Sequence, residues 1–213
     1  MILLYYMISL TLIHSKRQFL LLIFANLIIQ LGITYYIMEK SNIATYNKIG
    51  FWIIFALQLI IVYALVSFKI HPMLKFLLFS ALSGLFGLSM TNIKTKYNPL
   101  AIKTAVESAL SIFGAMFAFG IALVLFGVQL GPKVGFVLLF ALFALIIARI
   151  IALISNITYK IFSVISVILF SIYVVYDTNV ILQRNYYGDF ISASLAYYLD
   201  ILNIFGGIIG TNE

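Results

Sequence analysis

Seven apolar runs, each about 20 residues long, constrain this chain more than any other feature of it. They lie at 18–38, 49–68, 72–91, 102–126, 134–153, 160–182 and 190–210, with short polar breaks between them. A helix of about 20 apolar residues crosses the hydrocarbon core of a bilayer. The runs fill so much of the 213 residues that no separate soluble domain fits beside them. Hydrophobic residues make up 64% of the chain and charged residues 9%, whereas a soluble domain carries about 25% charge. The expected fold is an all-α polytopic membrane protein, a bundle of seven helices over residues 18–210. Residues 1–17 read as an interfacial segment. Their apolar part, 1–13, reaches only about 20 Å as a helix. Lys16 and Arg17 follow that part, whereas a secretory signal carries its charge in front. Residues 211–213 form a short C-terminal tail.

The breaks have local causes. Pro72, behind His71, suits the first position of a helix, where its missing N–H is not needed. Residues 39–48 and 92–99 are polar, and Gly131-Pro132-Lys133 reads as a turn. The net charge of +7 comes from basic residues placed mostly between the runs, where they anchor helix ends at lipid headgroups. Membrane lipid is thus the expected partner, and nucleic acid is not. Six basic residues fall on each side of the bilayer, so the positive-inside rule assigns no orientation. The absence of cysteine excludes disulfides and thiol chemistry, and two histidines in no zinc-binding pattern give no reason to expect zinc.

Ionisable residues inside spans are the functional candidates, because a charge at a helix centre costs about 2.5–3.5 kcal/mol on insertion scales. Of six carboxylates, Asp177, Asp200 and Glu107 fall within runs. The sixth and seventh runs are joined by a short loop and are expected to be antiparallel neighbours. Asp177 then lies roughly 8 Å below that loop and Asp200 roughly 15 Å. Ala196, Asp200, Asn203 and Gly207 share one face of the last helix. Two carboxyls in a dry site do not readily both ionise. The pair holds one proton over part of the pH range and releases it as pH rises. Fully ionised, it offers hard oxygen ligands to a cation such as Ca²⁺. A protonated pair that only hydrogen-bonds two helices is the simpler structural reading. Lys69 and Arg184 are candidate counter-charges or interface anchors. Glu107 is either a cation ligand or a carboxylate near a helix start. The glycines at 84, 87, 206 and 207 read as close-packing positions.

Three segments then carry a resemblance. Tyr176-Asp177-Thr178-Asn179, Tyr187-Gly188-Asp189-Phe190-Ile191 and Tyr198-Leu199-Asp200-Ile201-Leu202-Asn203-Ile204-Phe205 follow one another over about 35 residues. Their order and spacing resemble the transmembrane Bax inhibitor motif family, which includes the Lifeguard and Golgi anti-apoptotic proteins and bacterial calcium-leak homologues. The resemblance implies a last helix that is central or re-entrant. It implies a pH-sensitive Ca²⁺ leak channel with suppression of cell death in eukaryotic settings, in a bacterial inner membrane or an ER- or Golgi-type membrane. It makes Asp177 and Asp200 the pH-sensing gate. Asp189 matches an acidic loop residue and joins Glu107 and Asn203 as a candidate for the cation pathway. Asn179 stands where many members have Gln. The family's soluble, proline-rich tail is missing, which puts tail-mediated partner binding in doubt.

No cofactor is expected beyond Ca²⁺ as permeant ion. An enzyme is not expected either. Intramembrane aspartyl proteases pair Tyr-Asp on one helix with Gly-x-Gly-Asp on the next, but Tyr197-Tyr198-Leu199 precedes Asp200. The remaining alternative is a non-conducting interaction protein that regulates a protease, a channel or cell-death factors.

Overall fold

A computed structural model describes residues 11–41, 48–155, 160–183 and 188–211. Seven helices of 20 residues or more follow one another: α1 (Arg17–Lys40), α2 (Lys48–Ser67), α3 (Pro72–Lys96), α4 (Pro99–Leu125), α5 (Pro132–Ser155), α6 (Lys160–Gln183) and α7 (Phe190–Gly210). Residues 11–15 are also helical, and no strand occurs among the described residues. Among the described residues, six of the seven long helices are long and apolar enough to cross a membrane, while the described apolar stretch of α2, Trp52–Ser67, is shorter. The fold is the expected all-α polytopic one, and the protein is an integral multi-pass membrane protein.

The chain's three prolines all start helices. Pro72 follows His71, whose Nδ1 accepts from Met73 N. Pro99 follows Asn98, whose Oδ1 accepts from Ala101 N at 2.7 Å. A proline at the first helical position loses no hydrogen bond, and the side chain before it caps a free amide. α4 ends in a Schellman motif. Gly127 has φ +75°, Gly127 N bonds to Val124 O at 3.0 Å and Val128 N to Leu123 O at 2.9 Å. Only a residue without a Cβ takes that backbone at little cost.

α3 runs five residues past the expected end at 91. Polar residues end a membrane span without ending a helix. Lys94 instead pairs with Glu39 of α1, which also extends past its expected end, at 3.5 Å.

The helices pack as two compact units. One contains Lys103–Gly188 and Leu199–Glu213, with the start of the chain; the other contains Leu20–Ile102 and Asp189–Tyr198. In the apolar stretch of α7, 67% of residues are buried, against 11–39% in the other five long spans. The last helix is thus the most enclosed of the long apolar spans.

Candidate functional site

In the first unit α6 and α7 are brought into close contact by missing side chains. A Cβ on Gly207 would lie 2.6 Å from Val167 Cγ2 and 3.0 Å from Ser163 O. A Cβ on Gly210 would collide with Ser163 Oγ. Gly206 faces open space, so of the neighbouring pair only Gly207 is a packing position. Asp200 lies seven residues before Gly207 and therefore on the same face, turned toward α6. Asp200 is 3% exposed, and its Oδ2 is buried without a hydrogen-bond partner. Asp177 is half-buried and acts electrostatically on Asp200.

Tyr173 completes the group. It lies one turn before Asp177 and within electrostatic reach of both carboxyls. It stacks on Phe170 at 5.6 Å and packs against the cluster of Leu138, Leu145 and Leu169 that joins α5 to α6. The sequence reading missed it because a tyrosine in an aromatic-rich span carries no mark. Its spacing of four from Asp177 was the available signal. Asn203 is half-buried one turn after Asp200, and its Nδ2 donates to Leu199 O at 2.7 Å.

A buried carboxyl with one unpartnered oxygen, Asp200, sits in a polytopic helical membrane fold whose last helix is the most enclosed of the long apolar spans. The family described as "Inhibitor of apoptosis-promoting Bax1" matches residues 14–209. The chain belongs to this family. No curated protein matches it. As a Bax1-inhibitor family member, the chain is matched over all seven helices except the final residue of α7.

The remaining candidates lie elsewhere. Lys69 follows the end of α2, is exposed, and makes no ion pair among the described residues. Arg184 lies outside the described residues. Glu107 is exposed and pairs with Lys103 one turn earlier at 3.8 Å, a surface pair of small energetic value. No group of three or more His, Asp or Glu able to hold a metal occurs among the described residues. Two carboxylates supply only part of the six to eight oxygens that Ca²⁺ takes.

Asp189 belongs to the second unit and caps α7. Its Oδ1 accepts from Ser192 N at 3.0 Å, and its Oδ2 accepts from Ser192 Oγ at 2.9 Å and from Lys75 Nζ. Lys75 also donates to Ser192 Oγ at 2.6 Å. Burial alone would raise the Asp189 carboxyl. The hydrogen bonds from Lys75 and Ser192 and the Lys75 charge outweigh it and hold the carboxyl below the ordinary range. A lowered carboxyl stabilises the fold above its unfolded value, near about 3.9, and that contribution disappears as pH falls through the folded value. Asp189→Asn should therefore cost about 1 kcal/mol at neutral pH, with the difference in melting temperature from the parent closing below about pH 4. A difference that persisted unchanged into stronger acid would refute the pairing. Lys75, read from sequence as one interface anchor among several, is the partner that reading missed.

The second unit also holds a neutral polar network. Asn26 Nδ2 donates to Ser194 Oγ at 2.5 Å, and Gln30 Nε2 reaches Asn26 Oδ1 at 3.3 Å and Ser80 Oγ at 3.2 Å. Ser83 Oγ donates to Gln30 Oε1 at 2.9 Å, and Thr34 Oγ1 lies 2.6 Å from Tyr198 OH. These groups fasten α1 and α3 to the first half of α7. Tyr198 is fully buried, edge-on to Phe79 at 5.1 Å and Phe86 at 5.8 Å.

Proposed function

We propose that this chain is a pH-sensitive leak for Ca²⁺, closed while Asp177 and Asp200 share a proton and opened when the proton leaves. The observation that carries this reading is Asp200 Oδ2, buried without a hydrogen-bond partner on the face of α7 that meets α6, the helix that carries Asp177. A shared proton links the two helices. Its loss sets two negative charges against each other in a poorly solvated place, which loosens the α6–α7 contact. The same ionised oxygens attract a hard divalent cation. Acid therefore closes and alkali opens. The family's description gives the cellular outcome we propose with it, restraint of Bax1-promoted cell death. No enzymatic step is part of this reading.

The purified protein in liposomes loaded with a Ca²⁺ dye tests it. Flux should be low in mild acid and rise with pH in the parent, and Asp177→Asn with Asp200→Asn should abolish that rise. A parent-like pH profile in the double variant would remove the gate. A parent protein that passes no Ca²⁺ at any pH would favour the non-conducting alternative, an interaction protein that regulates a protease, a channel or cell-death factors.

A further inference from the structure

Arg149 of α5 is a half-buried cation inside an apolar span. Among the described residues its guanidinium bonds only to Phe162 O of α6, at 3.5 Å, which is long for such a bond. Among the same residues no carboxylate stands beside it. Of the chain's six, Glu39 pairs with Lys94, Glu107 with Lys103 and Asp189 with Lys75. Asp177 lies on α6 roughly 22 Å along the axis from Phe162. Asp200 lies roughly 15 Å along α7 from Gly210, which meets α6 at Ser163. Glu213 lies outside the described residues. A guanidinium in such a setting is costly until an anion pairs with it.

The surroundings show where that anion comes from. α5 and α6 meet at Gly135 and Tyr176 and again at Arg149 and Phe162, so they run antiparallel along this length. Arg149 stands roughly 9 Å before the end of α5, a distance that a long side chain covers by turning its head toward the interface. Lys160 opens α6 at the same end, close to Phe162 in sequence, and is exposed. Beside the two cations, Ile146 and Ile150 of α5 and Ile161 and Ile165 of α6 are 40–58% exposed. In a bilayer, acyl chains cover such surface. The guanidinium fork fits phosphate oxygens two at a time. A zwitterionic headgroup brings its own cation next to the two already there, whereas an anionic one balances them.

We propose that Arg149 and Lys160 hold the phosphate of an anionic phospholipid at the edge of the α5–α6 pair, with its acyl chains on the exposed isoleucines. The site stands apart from the aspartates and does not rest on the leak reading.

The full chain, purified in detergent, is titrated with phosphatidylglycerol or phosphatidylcholine, and bound lipid is read by native mass spectrometry. The parent should bind phosphatidylglycerol about fivefold or more tightly than phosphatidylcholine. Arg149→Gln should weaken phosphatidylglycerol binding by about fivefold and leave phosphatidylcholine binding unchanged. Lys133→Gln, an exposed lysine at the opposite end of α5, removes the same charge and should bind as the parent does. Parent-like phosphatidylglycerol binding by Arg149→Gln would overturn the site. An equal loss in Lys133→Gln would also overturn it, since attraction to overall charge would then suffice. Glycerol phosphate, the headgroup without its chains, should not displace the lipid at matched concentration. Full displacement would make this a small-anion site and overturn the lipid assignment. If Arg149→Gln does not fold, Lys160→Gln, at an exposed position, decides by the same comparison with Lys133→Gln.

Discussion

Alanine at Gly87 is expected to lower stability in detergent by about 1–3 kcal/mol, while alanine three residues earlier, at Gly84, leaves it unchanged or raises it. A Cβ at Gly87 would lie 2.6 Å from Thr34 O and 2.8 Å from Ile37 Cβ. The first of these is backbone and cannot swing aside, so α1 and α3 must separate. Separation stretches the bonds that depend on the close approach, Thr34 Oγ1 to Ser83 O at 3.1 Å and Ser83 Oγ to Gln30 Oε1 at 2.9 Å. Little slack remains before such contacts cease to be hydrogen bonds. No water is at hand in a hydrocarbon core to replace them, so their loss leaves buried polar groups unpaired. Gly84 meets nothing within 4 Å, and replacing a helical glycine there removes only backbone freedom, worth about 0.5–1 kcal/mol in favour of alanine. Thermal melting of the two variants side by side checks this. Equal melting temperatures would mean that the helices do not approach through Gly87.

The contrast between these glycines shows what the sequence could carry. Composition marks a glycine in a span as a packing position, but the partner atom decides whether it is one. The helix starts were legible because Pro72, Pro99 and Pro132 act locally, each through its own missing N–H. Asp177 and Asp200 stood out as candidates because charged side chains are scarce in this chain. Lys75 was hidden among equivalent anchors, since choosing it as the partner of Asp189 requires the packing of α3 against the start of α7. The polar network was partly visible. Asn26, Gln30 and Thr34 recur every four residues and form a stripe on an otherwise apolar helix. What the stripe meets on α3 and α7 is a tertiary property, because hydroxyl side chains in spans commonly bond within their own helix, as Ser171 and Thr178 do.

Asn179 offers the second large effect. It is 1% exposed on α6, and its amide clamps the connection that follows α4. Oδ1 accepts from Leu130 N at 2.8 Å and from Gln183 Nε2 at 3.1 Å, while Nδ2 donates to Val128 O at 2.9 Å. Gln183 also donates to Val128 O at 2.7 Å. In Asn179→Leu that carbonyl keeps one donor, but Leu130 N loses its acceptor, at a cost of about 1–3 kcal/mol. The connection should then open about ten- to a hundredfold more often, since each 1.4 kcal/mol is a factor of ten. Phe126, 80% exposed at the head of the same segment, supplies the readout as a chymotrypsin site. Cleavage after Phe126 should accelerate by that factor where opening precedes cutting in fast equilibrium. Asn179 points away from Asp177, because residues two apart on a helix lie about 200° apart. Its loss should therefore leave the pH at which flux rises unchanged. A shifted profile with parent-like cleavage would reverse the assignment and make Asn179 part of the gate.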